Sequence, residues 1–263
     1  MSADAAPSWL QLKSITLHEE GEHPRLWPSD ASEEYTTARL ALVEAEAALR
    51  DQVEAVARMR RELPAGSVLP AYTLVEGPAD LAEDEPTHEV SLRDLFGDHP
   101  SLVVYHVMFH PDDDQACAMC SMWIDGLHGV SHHLGRRTAF AVVGKAPLAK
   151  LRQWGRHRGW DGLRLLSSYD SPFNSDLGVE GRRGGQWPAV SVFARDGDQV
   201  RHVLTTSAEL PDGSGRGIDL LAPVWQVLDL LPEGRDEWLP DNDYPGRARG
   251  WPPDQPSERP ERS

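Results

Sequence analysis

Cysteine is nearly absent from this sequence: Cys117 and Cys120 are the two in 263 residues, and they stand as Cys-Ala-Met-Cys. A secreted scaffold held by disulfides needs more cysteines at wider spacings, so that class is excluded. Long apolar runs are missing as well. Apolar residues make up 40% of the chain, enough for a core, but no run approaches the roughly 20 apolar residues of a membrane span. Basic charge is scarce, with 26 Lys and Arg against 42 Asp and Glu and a net charge of −16. Nucleic acids and anionic membranes are held by clustered Lys and Arg, so neither is expected as a partner. Met1 to Glu20 shows no basic-then-apolar signal pattern, and a cytoplasmic chain is expected. The chain also lacks a Gly-rich phosphate loop with Lys and Ser or Thr, and a Gly-x-Ser-x-Gly elbow.

What is present divides into an arm with a long helix (1–66), a core (67–235) and a tail (236–263). Residues 1–31 carry Pro7, Pro24 and Pro28 with little periodicity, which predicts an extended lead-in. Ser32 before Glu33 and Glu34 is a helix start. Tyr35, Ala38, Leu42, Ala45, Leu49, Val56, Met59 and Leu63 then recur at spacings of three and four, and Pro64 and Gly66 end the pattern. The apolar stripe is expected to pack on its own domain; the alternative is an intermolecular coiled coil, and so a homodimer through the 33–63 helix.

In the core, 72–76, 88–92, 101–109, 138–143 and 163–167 read as strands. Val190 to Ala194 and Val200 to Leu204 flank Arg-Asp-Gly-Asp, a hairpin signal. Helices are expected from the cysteines to about Leu134, from Ala146 to about His157, and from Leu220 to Leu230. Strands and helices alternate and give way to a hairpin and a helix, so the class is α/β with a mixed sheet. Pro252 to Ser263 has no apolar anchor and is expected to be disordered.

The cysteine pair carries the first chemical argument. Two thiols separated by two residues at a helix start can close a small disulfide ring. The free N–H groups and the positive helix end stabilise a thiolate on the first, which becomes the attacking group. The second lies within reach and resolves a mixed disulfide. Cys117 follows a buried strand and a polar loop, where such a helix starts. Asp112, Asp113 and Asp114 pull the other way if they face the sulfur, because negative charge disfavours a thiolate.

Histidines offer a competing, metal-based account. His128, His132 and His133 are too far along a continuous helix to share an ion with Cys117. His110 ends the strongest strand, and period-two alternation puts His106, Met108 and His110 on one face of it. Cys117, Cys120, His110 and His106 would suit copper as Cu(I), or zinc, in a carrier or an oxygen-dependent enzyme. Asp125, His128 and His132 form a weaker helical constellation, and Arg182 and Arg183 lie in a basic loop, Gly181 to Gly185.

Peroxide-reducing proteins of this architecture resemble one another in a Thr or Ser three residues before the reactive cysteine. Asp114 holds that place here, so peroxide reduction is not the first reading.

The run Val104-Tyr-His-Val-Met-Phe109 is followed by Cys117-Ala-Met-Cys-Ser121, Asp125, His133-Leu134 and Ala146-Pro-Leu-Ala-Lys150. Gly159-Trp160, Ser167-Ser168, Phe173-Asn174 and Ser191-Val-Phe193 complete the pattern. Together they resemble the bacterial thioredoxin-like domain-of-unknown-function family labelled predicted dithiol–disulfide oxidoreductase. The resemblance runs from the Tyr35–Leu63 helix to Gly234-Arg235. It implies a thioredoxin-like mixed sheet flanked by helices, with Cys117 and Cys120 at the paired-cysteine positions. In the redox reading the substrate is a protein or small-molecule thiol or disulfide and no cofactor is required. Trp187-Pro188-Ala189 is similar to the cis-proline site of thioredoxins, which abuts the disulfide and binds substrate backbone. His110 and Asp112 to Gln115 depart from the usual loop and imply a specialised rim.

Overall fold

The computed structural model describes residues 12–17, 19 and 21–243. The tail expected to be disordered from Pro252, and the lead-in before residue 12, lie outside the described residues. The chain forms two compact units, Met1–Glu62 and Leu63–Ser263.

The first unit holds a short helix α1 (Lys13–Thr16) and the long helix α2 (Glu33–Arg61). Ser32 caps α2, its Oγ accepting from the Tyr35 amide at 3.1 Å. Glu33 and Glu34 lie in the first turn and Arg58, Arg60 and Arg61 in the last, each sign matching the helix end it occupies. None of its 29 residues is buried, so the face expected to pack is not found among the buried residues.

The second unit is a seven-stranded sheet in the order β2-β1-β5-β4-β3-β6-β7. Its strands are β1 (Thr73–Glu76), β2 (His88–Ser91), β3 (Ser101–Val107), β4 (Ala139–Gly144), β5 (Leu165–Ser167), β6 (Ala189–Asp196) and β7 (Gln199–Ser207). The helices between and after them are α3 (Ala118–Leu134), α4 (Leu148–Arg158), α5 (Phe173–Asp176) and α6 (Pro223–Leu228). Strands β3, β4 and β5 run parallel, joined by the crossover helices α3 and α4. Antiparallel β6 lies on the other side of β3 and leads through a hairpin to β7. A parallel β-α-β unit beside a hairpin-plus-helix unit, in the order β4-β3-β6-β7, is the thioredoxin-like arrangement, extended here by β5 and the β1–β2 hairpin.

Local chemistry sets the ends of these elements. Gly159 closes α4 at φ +73°, a left-handed position that suits glycine. The 220–230 run, expected as one helix, is split: a 3-10 turn covers Asp219–Leu221 and α6 starts at Pro223, because proline is tolerated at the first helical position and not beyond it.

Alternation along β3 divides the core into two layers. Tyr105 and Val107 face the side covered by α3 and α4, with Cys120, Trp123, Ile124, Leu151 and Trp154. Leu102 and Val104 face the opposite side, with Leu74, Phe96, Ala141, Val143, Phe173 and Phe193.

Candidate active site

Strand β3 ends at Val107. A rim loop then crosses to α3, whose N-cap is Cys117. The loop is pinned at several points. The Cys117 amide donates to Met108 O at 3.0 Å. Lys150 Nζ donates to Pro111 O at 2.7 Å and to Asp113 O at 2.6 Å. Asn242 Nδ2 donates to Gln115 Oε1 and Ala116 O, both at 3.0 Å. Asp112, Asp113 and Asp114 are exposed.

Both thiols are free; Cys117 is partly exposed and Cys120 is buried. The Cys117 sulfur accepts from the Cys120 thiol, and that contact, with the amides of Cys120 and Met119, lowers its pKa to about 6 against the opposing effect of burial. Cys120 moves the other way: burial, then the neighbouring Cys117 sulfur, push it well above 9. Its sulfur accepts weakly from the Met108 amide at 3.5 Å. Buried Ser121 steadies the first turn, donating to Cys117 O at 3.1 Å and accepting from Trp154 Nε1 at 3.0 Å. The outcome is one thiol poised as a thiolate near neutral pH and one held protonated within reach of it.

The histidines are distributed differently from the metal-based expectation. His110 stands on the rim, its Nδ1 accepting from the Asp112 amide at 3.2 Å. A Cβ at Gly184 would stand 3.3 Å from His110 Nε2, so the 181–185 loop lies against this ring, with Arg182 and Arg183 exposed. His106 is buried on the opposite face of the sheet, where its Nε2 meets Ser191 Oγ at 2.8 Å and its ring stacks on Phe173. The structure therefore does not bring His106 to the cysteines: β3 stops before Met108, and the strand's alternation cannot be carried on to His110. The Asp125 constellation is also dispersed. Asp125 accepts from Arg158 and from Trp160 Nε1 at 2.8 Å, and His128 Nε2 meets Asp161 O at 2.8 Å. Among the described residues no group of three or more His, Cys, Asp or Glu stands ready to hold a metal ion.

Pro188 lines a groove of about 710 Å³ with Met108, Met119, Trp123, Gln186 and Trp225, so it shares a wall with the residues that flank and separate the cysteines. The Trp187–Pro188 bond is trans, and the cis bond among the described residues is Glu85–Pro86. The similarity of Trp187-Pro188-Ala189 to a cis-proline site, which left the state of this bond open, therefore does not extend to a cis bond.

Sequence reasoning missed Tyr105. Its hydroxyl is buried and has no partner of good hydrogen-bond geometry; it lies near the Cys120 sulfur, which after burial raises its pKa further above 10, with Cys117 adding to the effect. The available signal was position. A hydroxyl among Val and Leu, two residues before the end of the strand that feeds the Cys helix, has few ways to be satisfied.

No curated protein matches this chain. Among solved structures, it is similar to a reduced 2-Cys peroxiredoxin from Plasmodium vivax, at 15% identity and TM-score 0.43 over 63% of this chain and 96% of that one. It is also similar to AhpC from Enterococcus faecalis, at 15% identity and TM-score 0.44 over 67% and 98%. A putative thioredoxin reductase from Burkholderia cenocepacia gives 18% identity and TM-score 0.43 over 61% and 96%. The family described as bacterial protein of unknown function (DUF899) matches residues 25–253, and the chain belongs to that family.

Proposed function

We propose that the protein is a thiol–disulfide oxidoreductase that cycles Cys117 and Cys120 between dithiol and disulfide. The observation that carries this reading is the asymmetry of the pair: Cys117 is partly exposed at the start of α3 with its pKa lowered to about 6, and Cys120 is buried beside it and kept protonated. At neutral pH the Cys117 thiolate exceeds the thiol by about tenfold.

The thiolate attacks one sulfur of a substrate disulfide, forming a Cys117–substrate bond and releasing the other half as a thiolate. Cys120 then loses its proton to water or to the departing group and attacks Cys117 Sγ, which frees the second half. Two electrons pass from the dithiol to the substrate disulfide, and the reverse sequence oxidises a substrate dithiol. In this reading Pro188 is a substrate-binding residue, offering its part of the groove wall to an apolar segment of the substrate.

The test is an equilibration of anaerobically purified protein with dithiothreitol redox buffers. Loss of two free thiols in one two-electron transition, abolished in Cys117→Ser, is the expected result. Stoichiometric copper or zinc, lost in both Cys117→Ser and His110→Ala, would overturn it.

A further inference from the structure

A buried hydroxyl without a partner is a cost that a phenylalanine would avoid, and buried tyrosines ordinarily find one. Tyr105 is fully enclosed, on a central strand, among Cys120, Trp123 and Val142. Its ring lies nearly parallel to that of Trp123 at a centroid distance of 6.3 Å, so a phenylalanine would fill the same space. The polar groups that act on the hydroxyl are the sulfurs of Cys120 and Cys117, packed in the same core cluster. A neutral thiol is a weak acceptor, whereas a thiolate accepts a hydrogen bond strongly. The group therefore has no well-formed hydrogen bond in the resting dithiol and gains a strong acceptor when charge appears on Cys120.

We infer that Tyr105 is a catalytic residue of the second step, donating its hydroxyl hydrogen bond to the Cys120 thiolate as that thiolate forms and attacks the Cys117–substrate disulfide. This rests on the dithiol reading above. No proton leaves Tyr105: burial and the two sulfurs keep its hydroxyl protonated, so it acts as a fixed donor while the Cys120 proton goes to water or the departing group. The titratable groups that act on the Cys120 sulfur are Cys117 from its own helix and Tyr105 from β3; the acidic rim loop faces solvent. The arrangement supplies the resolving cysteine with the one thing its burial removes, a stabiliser of negative charge.

Rapid mixing of the reduced full-length protein with 5,5′-dithiobis(2-nitrobenzoate) reads both steps, because each releases one coloured thiolate. The first release reports attack by Cys117 and the second reports attack by Cys120. Tyr105→Phe is expected to keep the first within about twofold. A charge-assisted hydrogen bond changes the thiolate fraction by about tenfold to a hundredfold or more. A more basic thiolate is also a better nucleophile, which offsets part of that loss. The second release is therefore expected to slow by about threefold to fifteenfold at pH 7, with the deficit narrowing as pH rises. A packing defect would slow it equally at every pH. Because the hydroxyl is unsatisfied in the dithiol form, the reduced Tyr105→Phe protein is also expected to melt about 2–4 °C higher than the wild type.

An unchanged second release, a deficit independent of pH, or a variant that melts lower or fails to fold would each overturn the role of Tyr105. If the wild type releases only one coloured thiolate, as Cys120→Ser is expected to, the dithiol reading itself falls and takes this inference with it. If the wild type releases two and Tyr105→Phe matches it, the reading stands and the inference alone falls.

Discussion

Tyr105 and His106 are neighbours on β3, both buried, and they face opposite sides of one sheet. The contrast lies in what meets them. His106 enters a chain of polar side chains: its Nε2 lies 2.8 Å from Ser191 Oγ, that hydroxyl lies 2.7 Å from Thr205 Oγ1, and His202 Nε2 lies 2.8 Å from the same threonine. Tyr105 lies near the Cys120 sulfur and has no partner of good hydrogen-bond geometry. A buried polar group with partners in the resting state holds the fold together. His106 Nδ1 is also unpaired, but its Nε2 anchors the ring, whereas the single polar atom of the Tyr105 side chain has no partner; in the proposed mechanism that partner is a charged Cys120. The two faces of the strand therefore separate stability from chemistry, and variants on each side are expected to move one and spare the other.

The largest expected effect on this contrast is on acid stability. Burial, and then the charge of His202, depress the His106 pKa from 6.5 to about 3. The unfolded ring takes up a proton as pH falls through 6.5, whereas the folded ring resists until about 3. The unfolded state binds more protons throughout that window, so stability falls as pH falls from 6.5 towards 3. This one group contributes a loss on the order of 5 kcal/mol across the full window. Urea unfolding at a series of pH values is expected to show a shallower acid dependence in His106→Leu than in the wild type, with Cys117 alkylation unchanged. Equal slopes in the two proteins would break the comparison on the histidine side.

A smaller effect is expected from Ser191→Ala. It removes the hydroxyl that joins His106 to Thr205 and leaves buried polar atoms behind, at a cost of about 1–3 kcal/mol. Its sign is opposite to that expected for Tyr105→Phe, which removes an oxygen already without a partner. Melting curves of the two reduced variants test the pair together: one lower and one higher than the wild type sharpens the contrast, and two shifts in the same direction would erase it.

These assignments also mark how far the sequence could be read. The strands and the long helices are legible because their apolar periods and end signals are local, as at Ser32 and Glu33 of α2 or the Arg-Asp-Gly-Asp hairpin. Helix α5 spans only Phe173–Asp176, too few residues for a period to appear. The Cys pair was legible as a strand-to-helix junction. The direction in which β3 side chains point was not, because alternation assigns residues to two faces without saying which face the following helix covers. Alternation alone therefore groups His106 with the cysteines, whereas the residue on their face is Tyr105, one position earlier. Proline at 188 was legible as a neighbour of the site, but its trans bond is set by the chain around it rather than by the residue itself.

The smallest expected effect concerns the rim. Asp112, Asp113 and Asp114 carry three negative charges just ahead of Cys117, and in sequence they looked able to oppose its thiolate. Their side chains are exposed, and the groups that set the Cys117 pKa are the Cys120 thiol and the amides of Cys120 and Met119. Charges in water are screened over about 8 Å at physiological ionic strength. Replacing all three by Asn keeps the side-chain acceptor that Asp113 offers to the His110 amide at 3.3 Å and removes only charge. The rate of Cys117 alkylation at pH 6 is expected to change by less than about twofold, with its midpoint still near 6. A larger acceleration would mean that the loop carboxylates reach the sulfur and that the rim takes part in setting its charge. If the rate holds, the Cys120 thiol and two amides packed against Cys117 govern its charge more strongly than three full charges at the rim, because the medium between charge and sulfur decides how much of each is felt.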